Sequence, residues 1–209
     1  MYKLETETKI FDQGYNILGA IDEAGRGPLA GPVVAACVVC EPDMKLVNKH
    51  LEKLKDSKKL SEKRREALYD VIHETFSEVG IGICDHKTVD KVNILQASFL
   101  AMKKAISSIK NKPDYIILDG RLLIPNFSTK QAAIINGDNL VFSIAAASII
   151  AKVSRDRIMR EIHSIYPQYG FDKHKGYGTK LHFENLTKYG PSPIHRTSFG
   201  PVKQLLKKN

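Results

Sequence analysis

The chain has 209 residues, of which 43% are hydrophobic and 26% charged, and this is enough for one well-packed globular domain. Its net charge of +9 favours an anionic partner, nucleic acid first and an anionic membrane surface second, although a basic surface can also serve solubility alone. No apolar run approaches the ~20 residues that a membrane-spanning helix needs, and residues 1–12 lack the apolar centre of a signal peptide. We therefore expect a cytoplasmic protein.

Apolar runs and turn residues predict the elements in chain order. Strands are expected at about 17–22 and 33–40, and their short connection favours an antiparallel pair. The predicted elements that follow are a helix opened by Ser61 as its N-cap, a strand at 78–84, a helix over roughly 88–110, strands at 114–120 and 132–135, and a helix at 142–165. This order indicates an α/β domain with a mixed sheet. We expect one domain over residues 1–209, in which about 166–209 form a basic extension with helices at about 179–188 and after Pro201.

The three cysteines are too few for a disulfide framework. Cys37 and Cys40 form a C-x-x-C pair, but they lie inside the apolar run 33–40 that is typical of a buried strand. Residues three apart on a strand face opposite sides, so the two thiols cannot hold one metal without a bend. We predict that both belong to the core.

Four carboxylates lie at or just past the ends of predicted strands. They are Asp22 and Glu23 after the first strand, Asp119 after 114–118, and Asp138 after 132–135. In α/β folds the crevice outside strand ends is where ligands bind. Adjacent strand residues point to opposite faces, so Asp22 and Glu23 share a site only if the strand ends or bulges between them. Oxygen ligands suit Mg²⁺ or Mn²⁺, and four carboxylates can hold the two ions used in phosphodiester displacement. Each aspartate alone is also compatible with an ordinary turn residue.

The carboxylates are flanked by glycine and basic residues. Gly25-Arg26-Gly27 provides backbone that a sugar or phosphate could approach closely, and no P-loop pattern is present. Lys58 and Lys59, and the run from Lys173 through Lys175 and Tyr177 to Lys180, provide cations and one aromatic ring for nucleic acid. Either run could instead be a solvated face. His163, His174, His182 and His195 show no zinc pattern, and we interpret them as surface residues or phosphate contacts.

These motifs together resemble bacterial type 2 ribonuclease H (ribonuclease HII) over nearly the whole chain. The resemblance rests on Asp22-Glu23-Ala24-Gly25-Arg26-Gly27-Pro28, Asp56-Ser57-Lys58-Lys59-Leu60-Ser61, Leu118-Asp119-Gly120, Gly137-Asp138, Ala145-Ala146-Ala147-Ser148, His174-Lys175-Gly176-Tyr177 and Arg196-Thr197-Ser198-Phe199-Gly200-Pro201. It implies a ribonuclease-H-like fold, a central mixed β-sheet flanked by helices, with a helical C-terminal extension.

The resemblance also implies an activity and the residues that carry it. A metal-dependent endoribonuclease would cleave RNA in RNA/DNA hybrids and incise at ribonucleotides in duplex DNA. It would use two ions of Mg²⁺ or Mn²⁺, and leave 5′-phosphate and 3′-hydroxyl ends. Asp22, Glu23, Asp119 and Asp138 would be catalytic and would bind the metal. Gly25, Arg26 and Gly27 would sense the ribose 2′-hydroxyl, and Tyr177 would stack beneath the ribonucleotide. We also expect Lys58, Lys59 and Lys175 to contact substrate, and a monomer that binds no membrane.

Two other functions compete with this interpretation. A catalytically silent nucleic-acid-binding module would have the same basic patches, but clustered carboxylates facing phosphates would weaken its binding. A metal-dependent phosphatase or nucleotidyl transferase would need a pocket for a small phosphate compound, and the sequence contains no recognisable one.

Overall fold

The computed structural model describes residues 4–42, 44 and 60–207. Five strands in this part of the chain form one sheet: β1 (Leu18–Ala24), β2 (Val33–Cys40), β3 (Glu78–Cys84), β4 (Tyr115–Asp119) and β5 (Lys130–Ile134). Their order across the sheet is β3-β2-β1-β4-β5. The β1–β2 and β2–β3 pairs are antiparallel, whereas β1–β4 and β4–β5 are parallel. The sheet is therefore mixed, as predicted.

Helices cover both faces of the sheet. They are α1 (Glu5–Phe11), α2 (Glu62–Thr75), α3 (His86–Val92), α4 (Ile94–Ser108), α5 (Gly137–Leu140), α6 (Phe142–Ile165), α7 (Phe171–His174), α8 (Lys180–Tyr189) and α9 (Gly200–Leu206), with a 3₁₀ turn at Pro167–Tyr169. Within residues 4–42, 44 and 60–207, none of the helices has the length and apolar character to cross a bilayer.

Two apolar clusters sandwich the sheet. One lies between the sheet and helices α2 and α6, and the other lies between the sheet and α4. Cys40 belongs to the first cluster and Cys37 to the second, so the two thiols lie on opposite faces as predicted. Burial raises the pKa of Cys37 to about 12, which keeps it a neutral core residue.

Helix α1, which the sequence analysis did not predict, holds the start of α6. Glu7 is buried, and its Oε1 accepts hydrogen bonds from the Ser143 backbone N–H at 3.0 Å and from Ser143 Oγ at 2.7 Å. A carboxylate at a helix N-terminus satisfies a free backbone donor and interacts favourably with the helix dipole. The N-terminal segment thus anchors the 24-residue helix that packs on β1 and β2.

The helix predicted over 88–110 is in fact two helices, and this prediction was wrong. Asn93 adopts a left-handed φ of 66° between α3 and α4, and its side chain accepts a hydrogen bond from the Gln96 N–H at 3.1 Å. Asparagine is a good N-cap, and a residue with a positive φ does not continue a right-handed helix, so Asn93 ends one helix and begins the next. Ser61 caps α2 as predicted, accepting from the Arg64 N–H at 3.4 Å.

The C-terminal elements pack on the loop that follows β1. A third apolar cluster contains Leu29 and Ala30 of that loop, Met159 of α6, and Phe171, Leu186 and Val202 of the C-terminal region. The basic extension is therefore joined to the same loop that carries the Gly-Arg-Gly motif.

Candidate active site

Asp22 and Glu23 reach one cleft because β1 loses its parallel neighbour just before them. The pairing between β1 and β4 ends at Ile21 and Leu118, whereas the pairing between β1 and β2 continues without a bulge to Ala24. Asp22 faces α6, where Ser148 hydrogen-bonds to its carboxylate, and Glu23 faces α4. The open edge lets side chains from both faces meet, together with Asp119 at the end of β4. Asp22 and Glu23 point to opposite faces of the sheet, and they reach the same cleft because the pairing with β4 has ended, not because β1 bulges.

The three carboxylates interact electrostatically. Burial first, and then the charges of Glu23 and Asp119, raise the pKa of Asp22 well above its usual range. Burial also raises the pKa of Glu23, while Arg26, whose Nη1 lies 3.1 Å from Glu23 Oε1, opposes that rise. Asp119 accepts a hydrogen bond from the Gly137 N–H at 2.7 Å, which orients its carboxylate. The site concentrates negative charge within a protein of net charge +9.

The donor chemistry of this cleft fits a hard divalent cation. Carboxylate oxygens from Asp22, Glu23 and Asp119 line it, and no histidine or cysteine does. A cation would offset the burial and the like charges that raise the pKa values of Asp22 and Glu23. The side chains are not arranged as a finished cage: in the part of the chain that the structure describes, no group of three or more His, Cys, Asp or Glu residues is set around a common metal position. The Arg26 contact to Glu23 would have to give way.

Asp138 differs from the other three carboxylates in its surroundings. It is buried on α5, and Asn139 Nδ2 donates to its Oδ1 at 3.0 Å. It is not among the residues that line the cleft, although its neighbour Gly137 bonds directly to Asp119. Three of the four predicted ligands therefore line the cleft. The fourth, Asp138, directly follows Gly137, the residue that donates to Asp119.

Two buried arginines hold the backbone of the Gly-Arg-Gly loop. Arg196 donates to three carbonyls of the loop, those of Gly25 at 2.6 Å, Arg26 at 3.0 Å and Gly31 at 3.0 Å. Arg155 donates to Pro32 at 2.9 Å and to Ala30 at 3.2 Å. Burial, and then the charge of Arg155, lower the pKa of Arg196 to about 9. Such desolvated donors make the loop a rigid element.

The two glycines of the motif have different structural roles. Gly25 has a φ of +98°, and a Cβ there would lie 2.1 Å from Arg155 Nε. Gly27 is exposed, and a Cβ there would meet Tyr177 Cε1 at 3.8 Å, an ordinary contact. The fold therefore requires glycine at 25 but not at 27.

Tyr177 forms part of the cleft wall, beside Gly27. Its side chain is 40% exposed, with Arg155 5.7 Å and Lys152 6.0 Å from its ring centroid. The cleft holds about 400 Å³ and is lined by Asp22, Glu23, Ala24, Gly25, Arg26, Gly27, Arg65, Asp119, Ser148, Ile149, Lys152 and Tyr177. It thus combines the three carboxylates, the whole Gly-Arg-Gly motif and the predicted aromatic contact.

Lys175, the predicted lysine that falls within the described residues, does not line this cleft. Lys58 and Lys59 lie outside the described residues. The Lys175 side chain is buried and directed inward, where its ammonium donates to the Asp172 carbonyl and lies 3.6 Å from Glu62 Oε2. The Lys175 side chain is therefore part of the packed interior and is not exposed to substrate. Its backbone carbonyl accepts a hydrogen bond from Arg155 at 3.0 Å. Lys173 is exposed.

The interpretation of the histidines as surface residues or phosphate contacts was wrong for three of the four, because these three are buried. His174, His182 and His195 are 8%, 0% and 1% exposed and lie in contact with one another behind Tyr177. Their spacing in the sequence gave no indication of this, because they come from α7, α8 and the loop before α9.

Sequence reasoning also missed residues that line or hold the site. Arg65 on α2 and Lys152 on α6 line the cleft as cations, and Lys152 is paired with Asp156 at 2.6 Å. Ser148 contacts Asp22, and Arg155 and Arg196 hold the loop. A cation one helical turn from an acid is an observable pattern for Lys152. Arg196 belongs to a motif of the resemblance, but nothing local indicates that Arg155 or Arg196 would be buried against this loop.

Comparisons with known proteins identify the family of this chain. A family model described as Ribonuclease HII matches residues 18–202. The chain is 51% identical over 201 residues to Ribonuclease HII of Caldanaerobacter subterraneus subsp. tengcongensis, covering 96% of this chain and 80% of that protein. It is 48% identical over 206 residues to Ribonuclease HII of Acholeplasma laidlawii, covering 98% of this chain and 97% of that one.

The fold is likewise similar to a solved structure. Ribonuclease H2 from Pyrococcus horikoshii OT3 superimposes with a TM-score of 0.74 at 26% identity, covering 92% of this chain and 98% of that one. The ribonuclease-H-like fold expected from the sequence is therefore confirmed. This chain belongs to the ribonuclease HII family and is a metal-dependent endoribonuclease.

Proposed function

We propose that the protein hydrolyses the RNA strand of RNA/DNA hybrids and also incises duplex DNA at single embedded ribonucleotides, leaving 5′-phosphate and 3′-hydroxyl ends. The observation that carries this proposal is the convergence of Asp22, Glu23 and Asp119 on the cleft that also contains Gly25-Arg26-Gly27 and Tyr177. A phosphodiester in that cleft would have metal ligands on one side and a sugar-reading surface on the other.

In this proposal Asp22, Glu23 and Asp119 hold divalent cations, Mg²⁺ or Mn²⁺, and Asp138 assists from behind Asp119. When bound, two such ions supply an activated water and stabilise the leaving 3′-oxygen. Ser148 and the Glu23 N–H, which donates to Asp22 Oδ1 at 2.7 Å, keep the Asp22 carboxylate oriented. The Gly137 N–H does the same for Asp119. No protein side chain acts as the nucleophile.

Selectivity for RNA would come from the backbone of the loop. Because a trans peptide is planar, its C=O and N–H point in opposite directions. The Gly25 and Arg26 carbonyls are bonded to Arg196, so the N–H groups of Arg26 and Gly27 face away from that guanidinium. These groups and the exposed, side-chain-free Gly27 can approach a ribose 2′-hydroxyl, the group that distinguishes RNA from DNA. Tyr177 would pack against the same nucleotide.

The carboxylate assignment can be tested on two substrates, a continuous RNA/DNA hybrid and a DNA duplex with one ribonucleotide. We expect Asp22→Asn and Asp119→Asn to abolish cleavage of both while hybrid binding persists, because each change removes a metal ligand but no backbone contact. Asp138→Asn should cost less. Asp70→Asn, which changes an exposed carboxylate on α2, is the matched control. Near-wild-type turnover by Asp22→Asn with Mg²⁺ would contradict the assignment, and so would cleavage that survives a chelator.

The role of Tyr177 requires a comparison between the substrates. Tyr177→Ala should slow incision at the single ribonucleotide more than cleavage of the continuous hybrid, where neighbouring ribonucleotides offer other registers. Tyr177→Phe retains the ring and should retain most of this selectivity. Equal fractional losses of Tyr177→Ala on both substrates would leave Tyr177 as a general packing residue.

A further inference from the structure

Two buried imidazoles form a chain of hydrogen bonds that ends on the backbone of Tyr177. Ser192 donates its N–H to His195 Nδ1 at 2.9 Å, His195 Nε2 lies 3.0 Å from His182 Nε2, and His182 Nδ1 lies 2.9 Å from the Tyr177 carbonyl oxygen. Neither imidazole lines the catalytic cleft, whereas Tyr177 does. The chain thus links the loop before α9 to a residue of the cleft wall.

The groups at the two ends, a backbone N–H donor and a carbonyl acceptor, determine the tautomer of each ring. A backbone N–H can only donate, so His195 Nδ1 accepts and its proton is on Nε2. His195 then donates to His182 Nε2, which leaves the His182 proton on Nδ1, where it is donated to the Tyr177 carbonyl. His174 is determined in the same way, because its Nδ1 accepts from the Gly176 N–H at 3.2 Å and its Nε2 faces the Tyr169 carbonyl at 2.8 Å.

Tyr177 is therefore held by an imidazole on each side. His174 accepts a hydrogen bond from the N–H of Gly176, the residue before Tyr177. His182 donates to the carbonyl of Tyr177 itself. The His174 and His182 rings stack at 4.4 Å, and Phe171 packs edge-on against His182 at 5.5 Å. Fixing the backbone on both sides of Tyr177 leaves its exposed ring few orientations over the cleft.

The surroundings keep these rings neutral. Burial is the largest cause that lowers the pKa of both His182 and His195 to about 4, and their mutual proximity with His174 adds to it. The charged or titratable groups nearby are Asp172 and Lys175, which act on His174, and His86, which acts on His195. Tyr169 packs against His195 at 5.1 Å. Neutral imidazoles are required for a chain in which each ring donates once and accepts once.

We propose that His195 and His182 are positioning residues for Tyr177: His195 fixes the Nδ1–H tautomer of His182, and His182 holds the Tyr177 carbonyl so that the ring is directed into the cleft. The proposal rests on the proposed role of Tyr177 at the single ribonucleotide. Neither histidine touches substrate. Substitution of either histidine is therefore expected to slow incision at a single ribonucleotide more than cleavage of a continuous hybrid.

The first test needs no substrate, so it is independent of the proposed function. Nitrogen-15 spectra of the imidazoles at neutral pH should show His182 protonated on Nδ1, the minor form of free histidine, and His195 and His174 protonated on Nε2. In His195→Asn, which lacks a donor at the Nε2 position, the Nε2-protonated fraction of His182 should increase, although the Tyr177 carbonyl still favours the Nδ1 proton. A wild-type His182 protonated on Nε2 would overturn the proposal.

The second test uses two substitutions of His182 that each keep one half of its bonding. Asparagine places its amide near the Nδ1 position and can still donate to the Tyr177 carbonyl. Glutamine reaches the Nε2 position and can still accept from His195, but it leaves the Tyr177 carbonyl without this donor. The measured quantity is the rate on the single-ribonucleotide duplex divided by the rate on the continuous hybrid, a ratio that does not depend on the folded fraction.

We expect His182→Gln to lower this ratio by about fivefold to tenfold, the effect of one buried hydrogen bond, and His182→Asn to lower it by about twofold or less. His73→Gln, an exposed histidine on α2, is the matched control and should leave the ratio unchanged. Equal ratios for the two His182 variants would overturn the proposal.

A double variant separates this inference from the proposed function. In a Tyr177→Ala background, His182→Gln should change the ratio no further, because its effect passes through Tyr177. An additive loss would show that His182 acts elsewhere. If Tyr177→Ala itself proves unselective, the proposed role of Tyr177 fails, whereas the tautomer spectra still decide the hydrogen-bond chain.

Discussion

The two glycines that flank Arg26 provide a sharp test of how the loop works. Gly25→Ala would place a Cβ 2.1 Å from Arg155 Nε and 2.7 Å from the Pro32 carbonyl oxygen, in a backbone with a φ of +98°. Left-handed backbone costs a non-glycine residue about 1–2 kcal/mol, and overpacking about 1–3 kcal/mol more. We therefore expect Gly25→Ala to lower the free energy of unfolding by about 2–5 kcal/mol.

Gly27→Ala should behave differently, because its Cβ would meet only Tyr177 Cε1 at 3.8 Å in the free protein. We expect stability within about 0.5 kcal/mol of wild type, as for an ordinary surface substitution. If the 2′-hydroxyl approaches the backbone here, the added methyl group should displace the substrate and slow cleavage of both substrates by about tenfold or more.

Thermal unfolding and initial cleavage rates measured on the same samples separate the two effects. For a chain of this size, the loss in Gly25→Ala corresponds to a melting temperature roughly 5–15 °C lower. Gly27→Ala should melt with wild type and cleave slowly. A Gly25→Ala protein that melts like wild type would refute the packing role of Arg155, and a fully active Gly27→Ala protein would refute close approach at Gly27.

Two further predictions concern stability. In the folded protein His182 and His195 have pKa values of about 4, whereas an unfolded histidine titrates near 6.5. Between these values the unfolded chain binds more protons than the folded one. The contribution of the two neutral imidazoles to the free energy of unfolding is therefore complete above about pH 6.5 and is lost as the pH falls toward 4. Urea unfolding at pH 7 and pH 5 should show a loss of about 2 kcal/mol per imidazole, smaller in His195→Gln, and an equal loss in that variant would contradict the assignment. Glu7→Ala should lower stability by about 1–2 kcal/mol, since it removes the acceptor for both Ser143 donors, whereas Glu7→Gln should lower it less; equal melting of wild type and Glu7→Ala would contradict the capping role.

Local pattern was sufficient for most of the scaffold. The predicted bounds 33–40, 78–84 and 142–165 coincide with β2, β3 and α6, because apolar runs and helical spacing act over neighbouring residues. Where prediction failed, a backbone preference of one residue opposed the pattern. The apolar stripe of 88–110 continues on both sides of Asn93, yet the positive φ of Asn93 divides the helix.

The sequence by itself determined which chemical groups are available: carboxylates at strand ends, a glycine-rich loop and one aromatic residue beyond it. Only the tertiary structure decided how they are used. The loss of β4 as a neighbour after Ile21 lets Asp22 and Glu23 share a cleft, although alternation along the strand separates them. Arg196 donates a hydrogen bond to the carbonyl of Gly25, which lies 171 positions earlier in the chain, and the Lys175 side chain is directed inward. The physical reason is that burial and hydrogen bonding of these side chains depend on partners distant in sequence, and no local pattern contains those partners.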